Sequence, residues 1–260
     1  MSDLDRGAAF RAQRAQVLDF CESLSPADWR TSSCAQGWSI QDVVAHMGAG
    51  VHSMFGPAAT KLLLGKDIEK LNDEMVDVRR SRSAEQVLGE YRRWTGIFAN
   101  VMPPLANTPL GGARLPLSEL GRFPLRLFVS ALVFDTDTHL RYDMAPALGR
   151  EVGSGDANQM AVNLEWMMAV LNNQLGTALP EWLDRSVSIN LTGPGGGTWR
   201  VDGFGAVTAG GSGPVACVIS GQAAQFPEWG TRRARWRDRD VTITGDAEYG
   251  AAFLDQMNIV

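Results

Sequence analysis

Two short segments of this chain carry residues able to hold a metal ion. One ends in Asp42-Val43-Val44-Ala45-His46; the other reads Asp135-Thr136-Asp137-Thr138-His139. Residues four apart share a face of an α-helix. Asp135 and His139 can therefore grip one ion from a single helix, and His46 on another helix can complete the set. Two imidazoles and a carboxylate, with positions left open, are the ligand set of a catalytic divalent-metal site. Asp42 lies four residues before His46, and Asp143 four after His139. Each is placed to accept the second imidazole N–H of its histidine. Asp137 falls off that face and is expected in solvent. His52, six residues past His46, points elsewhere. The simpler reading of Asp135 and His139 is a surface i,i+4 pair with nothing bound.

Helices must position these groups. From Leu4 to Leu24 the apolar residues Phe10, Ala15, Val17 and Leu18 recur near helical spacing, and Ser25-Pro26 ends the run. Ser39 with Asp42 forms an N-terminal capping pattern for a helix running toward Leu64. Ser83 with Gln86 opens a helix over Val87–Met102, which Pro103-Pro104 is expected to stop. Pro124–Tyr142 is the predicted helix bearing Asp135 and His139, and Asp156–Leu179 is a further amphipathic helix. Such a series suggests an up-and-down four-helix bundle over residues 1–180.

The pattern changes at Pro180-Glu181-Trp182. Ser186–Leu191, Thr198–Val201, Pro214–Ser220 and Val241–Thr244 read as strands, and Ala247–Met257 as a helix. Residues 181–260 therefore form a small second domain, and the fold class is α+β. The glycines at 193–197 and 210–213 lack the Lys-Ser/Thr ending of a phosphate-binding loop and read as hairpin turns.

Composition excludes several functions. A net charge of −5 argues against nucleic acid as the main partner, because phosphate binding needs clustered cations. Three scattered cysteines do not build a disulfide framework. The polar start carries no signal-peptide core, and the most apolar run, Leu125–Phe134, is too short to span a bilayer. A cytoplasmic protein, monomeric or a small homo-oligomer, with no membrane partner is expected.

The string Gly37-Trp38-Ser39 through Asp42-Val43-Val44-Ala45-His46, preceded by Leu24-Ser25-Pro26-Ala27-Asp28-Trp29, resembles the mycothiol-dependent maleylpyruvate isomerase family. Asp135, His139 and Asp143 match its second half-site, although the isomerase has Glu where this chain has Asp135. Val187–Trp199, Thr231-Arg232-Arg233 and Val241–Asp246 are similar to its small C-terminal domain. The resemblance implies a DinB-like metal-binding bundle followed by a sterol-carrier-like domain. It also implies a divalent metal, zinc above others, held by His46, Asp135 and His139, with mycothiol as co-substrate. The chemistry implied is addition of the activated thiolate to an electrophilic, anionic small molecule, giving an isomerase or an S-transferase. Arg232, then Arg233, matches a catalytic arginine of the second domain, and Arg79 or Arg80 an arginine near the substrate. Two alternatives stand beside this: a thiol-independent Lewis-acid cyclase or isomerase of a biosynthetic pathway, and a metal-stabilised ligand-binding protein without turnover.

Overall fold

A computed structural model of the chain describes residues 4–259. Its described residues divide into two compact units, one of residues 5–155 and one of residues 156–259 together with Leu4. The first contains α1 (Arg6–Glu22), α2 (Ile40–Ser53), α3 (Ala59–Leu64), α4 (Ile68–Asp77), α5 (Ala84–Ala106) and α6 (Leu127–Thr138). The four-helix bundle consists of α1, α2, α5 and α6, with α2 on α5, α5 on α1 and α1 on α6. Both capping patterns form. Ser39 accepts from the Asp42 N–H while the Asp42 carboxylate accepts from the Ser39 N–H at 2.9 Å, and Ser83 pairs with Gln86 in the same way. Each such cap contributes about 1 kcal/mol.

Apolar periodicity then sets the packing. Val17 and Phe20 of α1, Val43, Val44 and Met47 of α2, and Val87 and Tyr91 of α5 share one core, each large side chain contributing about 1.5–3 kcal/mol on burial. Gly48 permits the close approach of α2 to α5. A Cβ there would lie 3.1 Å from the Tyr91 nitrogen.

Several boundaries differ from the sequence expectation. The helix opened by Ser39 ends at Ser53 rather than near Leu64, because Gly56-Pro57 interrupts it and the chain restarts as α3. The short α4 was not expected; its cap is Asp67, which accepts from Lys70 N–H at 2.9 Å. Helix α5 runs through Pro103 and Pro104 to Ala106. In the last turn these prolines delete two donors, yet their carbonyls still accept from Asn107 N–H at 3.2 and 3.3 Å. The Pro/Gly-rich stretch that follows holds a small antiparallel hairpin, β1 (Arg114–Pro116) with β2 (Arg122–Pro124).

The second unit carries α7 (Ala157–Thr177), β3 (Val187–Thr192), β4 (Gly197–Val201), β5 (Val207–Ala209), β6 (Cys217–Gln222), α8 (Phe226–Gly230), β7 (Thr242–Gly245) and α9 (Ala247–Gln256). Its sheet has the order β5-β4-β3-β6-β7, with β3 and β6 parallel and the other pairs antiparallel. The glycines at 193–197 make the β3–β4 turn. The division between units falls before α7, a helix earlier than the composition shift at Pro180. Helix α7 groups with the sheet because it is bonded to its surroundings there. Asn172 Oδ1 accepts from Val207 N–H at 3.0 Å, and Gln174 Nε2 donates to the Asn258 carbonyl at 2.9 Å. No helix among the described residues is long and apolar enough to cross a membrane.

Gly48→Val places a branched side chain against the Tyr91 backbone. It is expected to lower the unfolding free energy by about 2 kcal/mol, the cost of overpacking, as read by urea denaturation.

Candidate metal centre

Helix α2 presents His46 and helix α6 presents Asp135, while His139 sits where α6 gives way to a π-helical turn, His139–Met144. That turn is marked by the Ala145 N–H bonding to the Leu140 carbonyl, five residues back, at 3.0 Å. Such wide turns recur at functional sites because they re-aim side chains without ending the helix. Here the turn keeps Asp143 within reach of His139, and His139 Nδ1 lies 2.7 Å from Asp143 Oδ2. Asp143 is buried, and a carboxylate at that distance holds the proton on Nδ1. Nε2 is left with its lone pair.

The remaining donors converge. Asp135 Oδ1 is 3.4 Å from His46 Nε2 and 3.6 Å from His139 Nε2. One ligand atom from each of the three residues falls within 4.8 Å of the others. In a tetrahedral site with ligands about 2.1 Å from the ion, neighbouring donors stand about 3.4 Å apart. The spacing and the donor types therefore fit a divalent ion. The imidazoles are 8% and 11% exposed, whereas the Asp135 carboxylate is 33% exposed. The site is walled by its histidines and opens beside its carboxylate.

Trp38 completes the wall. Its ring centroid lies 5.1 Å from that of His46 and 6.3 Å from that of His139. Its Nε1 donates to Asp73 Oδ1 at 3.0 Å, which fixes the ring. Gly37, at φ 81°, makes the turn that precedes it. Trp38 belongs to the Gly-Trp-Ser string, but its place over both imidazoles was not read from the sequence.

Other site residues fall differently from expectation. Asp42 does not serve His46. Its carboxylate is used by Ser39 in the cap and by Arg80 Nη1 at 2.9 Å, and His46 Nδ1 is buried without a hydrogen bond. The reason is local: an N-cap box turns the third residue of the helix back toward the cap. Asp137 is buried rather than solvated and pairs with Arg141 at 3.2 Å.

Arg79 and Arg80 spend all three of their nitrogens inside the unit. Arg79 forks onto Glu90 at 2.8 and 2.7 Å and donates to the Met75 carbonyl. Arg80 bonds Asp42, Asp77 and the Gly37 carbonyl. Both thereby hold α4 and its flanks to α2 or α5. Arg232 and Arg233 lie in the second unit, after α8. Arg232 donates to the carbonyls of Met257 and Asp255 at 2.9 and 2.7 Å. Its backbone is left-handed at φ 57°, a conformation costly for a residue with a side chain.

The first sequence expectation to be tested by geometry makes two contrasting substitutions informative. Asp143→Asn is expected to weaken metal binding about 10–100-fold, while Asp42→Asn leaves metal affinity unchanged and lowers stability; competitive chelator titration and urea melts read the two effects. A second expectation concerns acid. Burial alone would raise the Glu90 carboxyl, but hydrogen bonds from Arg79 and His52 and the charges of Arg79 and Arg82 override it and hold the group down to about 2. Its stabilisation is complete above the ordinary value of 4.5 and is lost as the pH falls through about 2. Glu90→Gln is expected to flatten that acid limb in melts recorded across this range.

Comparison with known proteins places this geometry. Residues 10–109 match the family model of the mycothiol maleylpyruvate isomerase N-terminal domain. This segment contains His46 but ends before Asp135 and His139. None of the curated proteins matches the chain by sequence. Among solved structures, the crystal structure of the mycothiol-dependent maleylpyruvate isomerase is similar over 92% of this chain and 91% of that one, with 14% identity and a TM-score of 0.59. A histidine-to-alanine mutant of that enzyme is similar over the same shares, at 14% identity and a TM-score of 0.57. Residues 10–109 are thus similar to the mycothiol maleylpyruvate isomerase N-terminal domain, and the chain shares the fold of the mycothiol-dependent isomerase.

Proposed function

We propose that the protein is a metal- and thiol-dependent enzyme, an isomerase or S-transferase that uses mycothiol on an electrophilic, anionic small molecule. The observation that carries this reading is the convergence of His46 Nε2, His139 Nε2 and Asp135 Oδ1 in a bundle whose residues 10–109 match the family model. A divalent ion held there, zinc by preference, supplies the positive charge that turns a coordinated thiol into a thiolate near neutral pH.

The chain's own residues do the rest. Asp143 keeps the Nδ1 proton of His139, so Nε2 remains a donor to the ion. Trp38 shields both imidazoles from water. Asp135, one-third exposed, leaves an open side for the thiol. The protein's buried thiols are poor substitutes for an external one. Burial pushes Cys21 up to about 12 and raises Cys217 as well. Arg232 is the proposed cation for the substrate's anionic group. Its guanidinium is pre-oriented by two carbonyls, and its left-handed backbone is the kind of strain that persists at working positions. Arg233, its neighbour, is the second choice.

The test is a calorimetric titration of zinc-loaded protein with mycothiol in buffers of different ionisation enthalpy. The reading predicts saturable binding with release of about one proton per thiol, abolished in His139→Ala. Thiol binding that is indifferent to the metal, or none at all, contradicts it. Arg232→Ala is expected to raise KM or lower kcat for an anionic substrate while metal content stays unchanged.

A further inference from the structure

The two histidines of the metal centre are supported unequally. His139 has Asp143 on its Nδ1 at 2.7 Å. His46 has no such partner: its Nδ1 is buried without a hydrogen bond, because Asp42 serves the helix cap. An imidazole that ligates an ion ordinarily has its other nitrogen held by a carboxylate, a carbonyl or water. Something else must orient the His46 ring, and the group packed on it is Trp38. The indole lies nearer to His46 than to His139, at 5.1 Å against 6.3 Å, and is tilted 41° and 33° to the two rings. An imidazole bound to a divalent ion takes on part of the positive charge, and the face of tryptophan is the best aromatic partner for a cation within about 6 Å.

The indole is itself aimed from outside the loop that carries it. The backbone of Trp38 is fixed locally: its N–H bonds the Ala35 carbonyl at 3.1 Å, and its carbonyl accepts from Ser33 N–H at 2.9 Å and from Ser33 Oγ at 2.8 Å. Those bonds leave the side-chain torsions free. An indole N–H makes one hydrogen bond, and the exposed Asp73 of α4 accepts it at 3.0 Å. The same segment grips the loop on either side of Trp38. Arg80, just past α4, donates to the Gly37 carbonyl at 3.4 Å and to the Asp42 carboxylate of the cap at 2.9 Å. Helix α4 buries only Met75 and Val76 of its own residues, so these polar contacts matter to where it sits.

We infer that Asp73 is a positioning residue for the metal centre, acting through Trp38 on His46 in place of the carboxylate that His46 lacks. This rests on the reading of His46, Asp135 and His139 as the ligands, and it adds a means of regulating their hold on the ion. A displacement of α4 that breaks the Trp38–Asp73 bond loosens the ion. By thermodynamic reciprocity the bound ion secures Trp38 against α4.

The experiment uses the full chain and reads zinc affinity by competition with a chromophoric chelator, together with the visible spectrum of the cobalt-substituted protein. Asp73→Leu is expected to weaken zinc binding about fivefold, the worth of one hydrogen bond. It is also expected to shift the cobalt bands, while the metal-free protein melts as wild type does. Asp73→Asn, whose amide oxygen still accepts, is expected to stay within about twofold of wild type. Trp38→Phe is expected to weaken binding, and adding Asp73→Leu to it to cost nothing more, since the route runs through the indole N–H. Equal affinity in wild type and Asp73→Leu overturns the proposal. So does a loss as large in Asp73→Asn as in Asp73→Leu, or a full effect of Asp73→Leu in the Trp38→Phe background. Zinc that wild type fails to hold, read by elemental analysis, overturns the assignment of the three ligands and this proposal with it; zinc held normally by wild type and Asp73→Leu alike overturns the proposal alone.

Discussion

Holding two imidazole nitrogens 3.4 and 3.6 Å from one carboxylate oxygen inside a helical bundle is the demand around which the first unit is organised. Such donors are costly to bury without a partner. Their orientation must survive the rotamer freedom of each side chain. The chain meets both requirements with rigid supports. Asp143 sets the tautomer of His139 through a π-helical turn, and Trp38 lies against both rings while tethered to Asp73. The capping box on α2 starts that helix at a defined residue, which fixes where His46 emerges six residues later. The Gly48 contact with Tyr91 sets how closely α2 lies on α5.

The charged cluster around Glu90 performs a related task for the neighbouring segment. Glu90 of α5 binds Arg79, which follows α4, Arg82, which precedes α5, and His52 of α2. One carboxylate thus ties together three helices. A buried pair of this kind stabilises little in net terms compared with apolar packing, but breaking one partner is expensive. Its main effect is specification: it decides where α4 lies and leaves a shaped space beside it.

Much of this was legible from the amino-acid sequence because the signals are local. The i,i+4 spacing of Asp135 and His139, the capping residues Ser39 and Ser83, and the alternation in Val187–Leu191 depend on backbone periodicity, which short segments express directly. What escaped depends on competition between partners. Asp42 sits at the right spacing to serve His46, yet the N-cap and Arg80 claim its carboxylate. Arg79 carries no local signal of its partner, and Glu90 eleven residues on pairs with it in the interior. Asp137 has the spacing of a solvent-facing residue, yet Arg141 pairs with it under cover. Helix α7 read as part of the bundle because its pattern is that of a generic amphipathic helix. Which partner such a helix chooses is settled by contacts far away in the chain, here with β5 and the segment before the C-terminus.

The central claim is that His46, Asp135 and His139 together ligate one divalent ion. The most direct test is X-ray absorption at the zinc K-edge of protein loaded with one equivalent of zinc, compared with His46→Ala and His139→Ala. The account predicts nitrogen and oxygen ligands at about 2.0–2.1 Å with the scattering signature of two imidazoles, reduced to one imidazole in either variant. An imidazole signal that is absent, or unchanged by both substitutions, would contradict it.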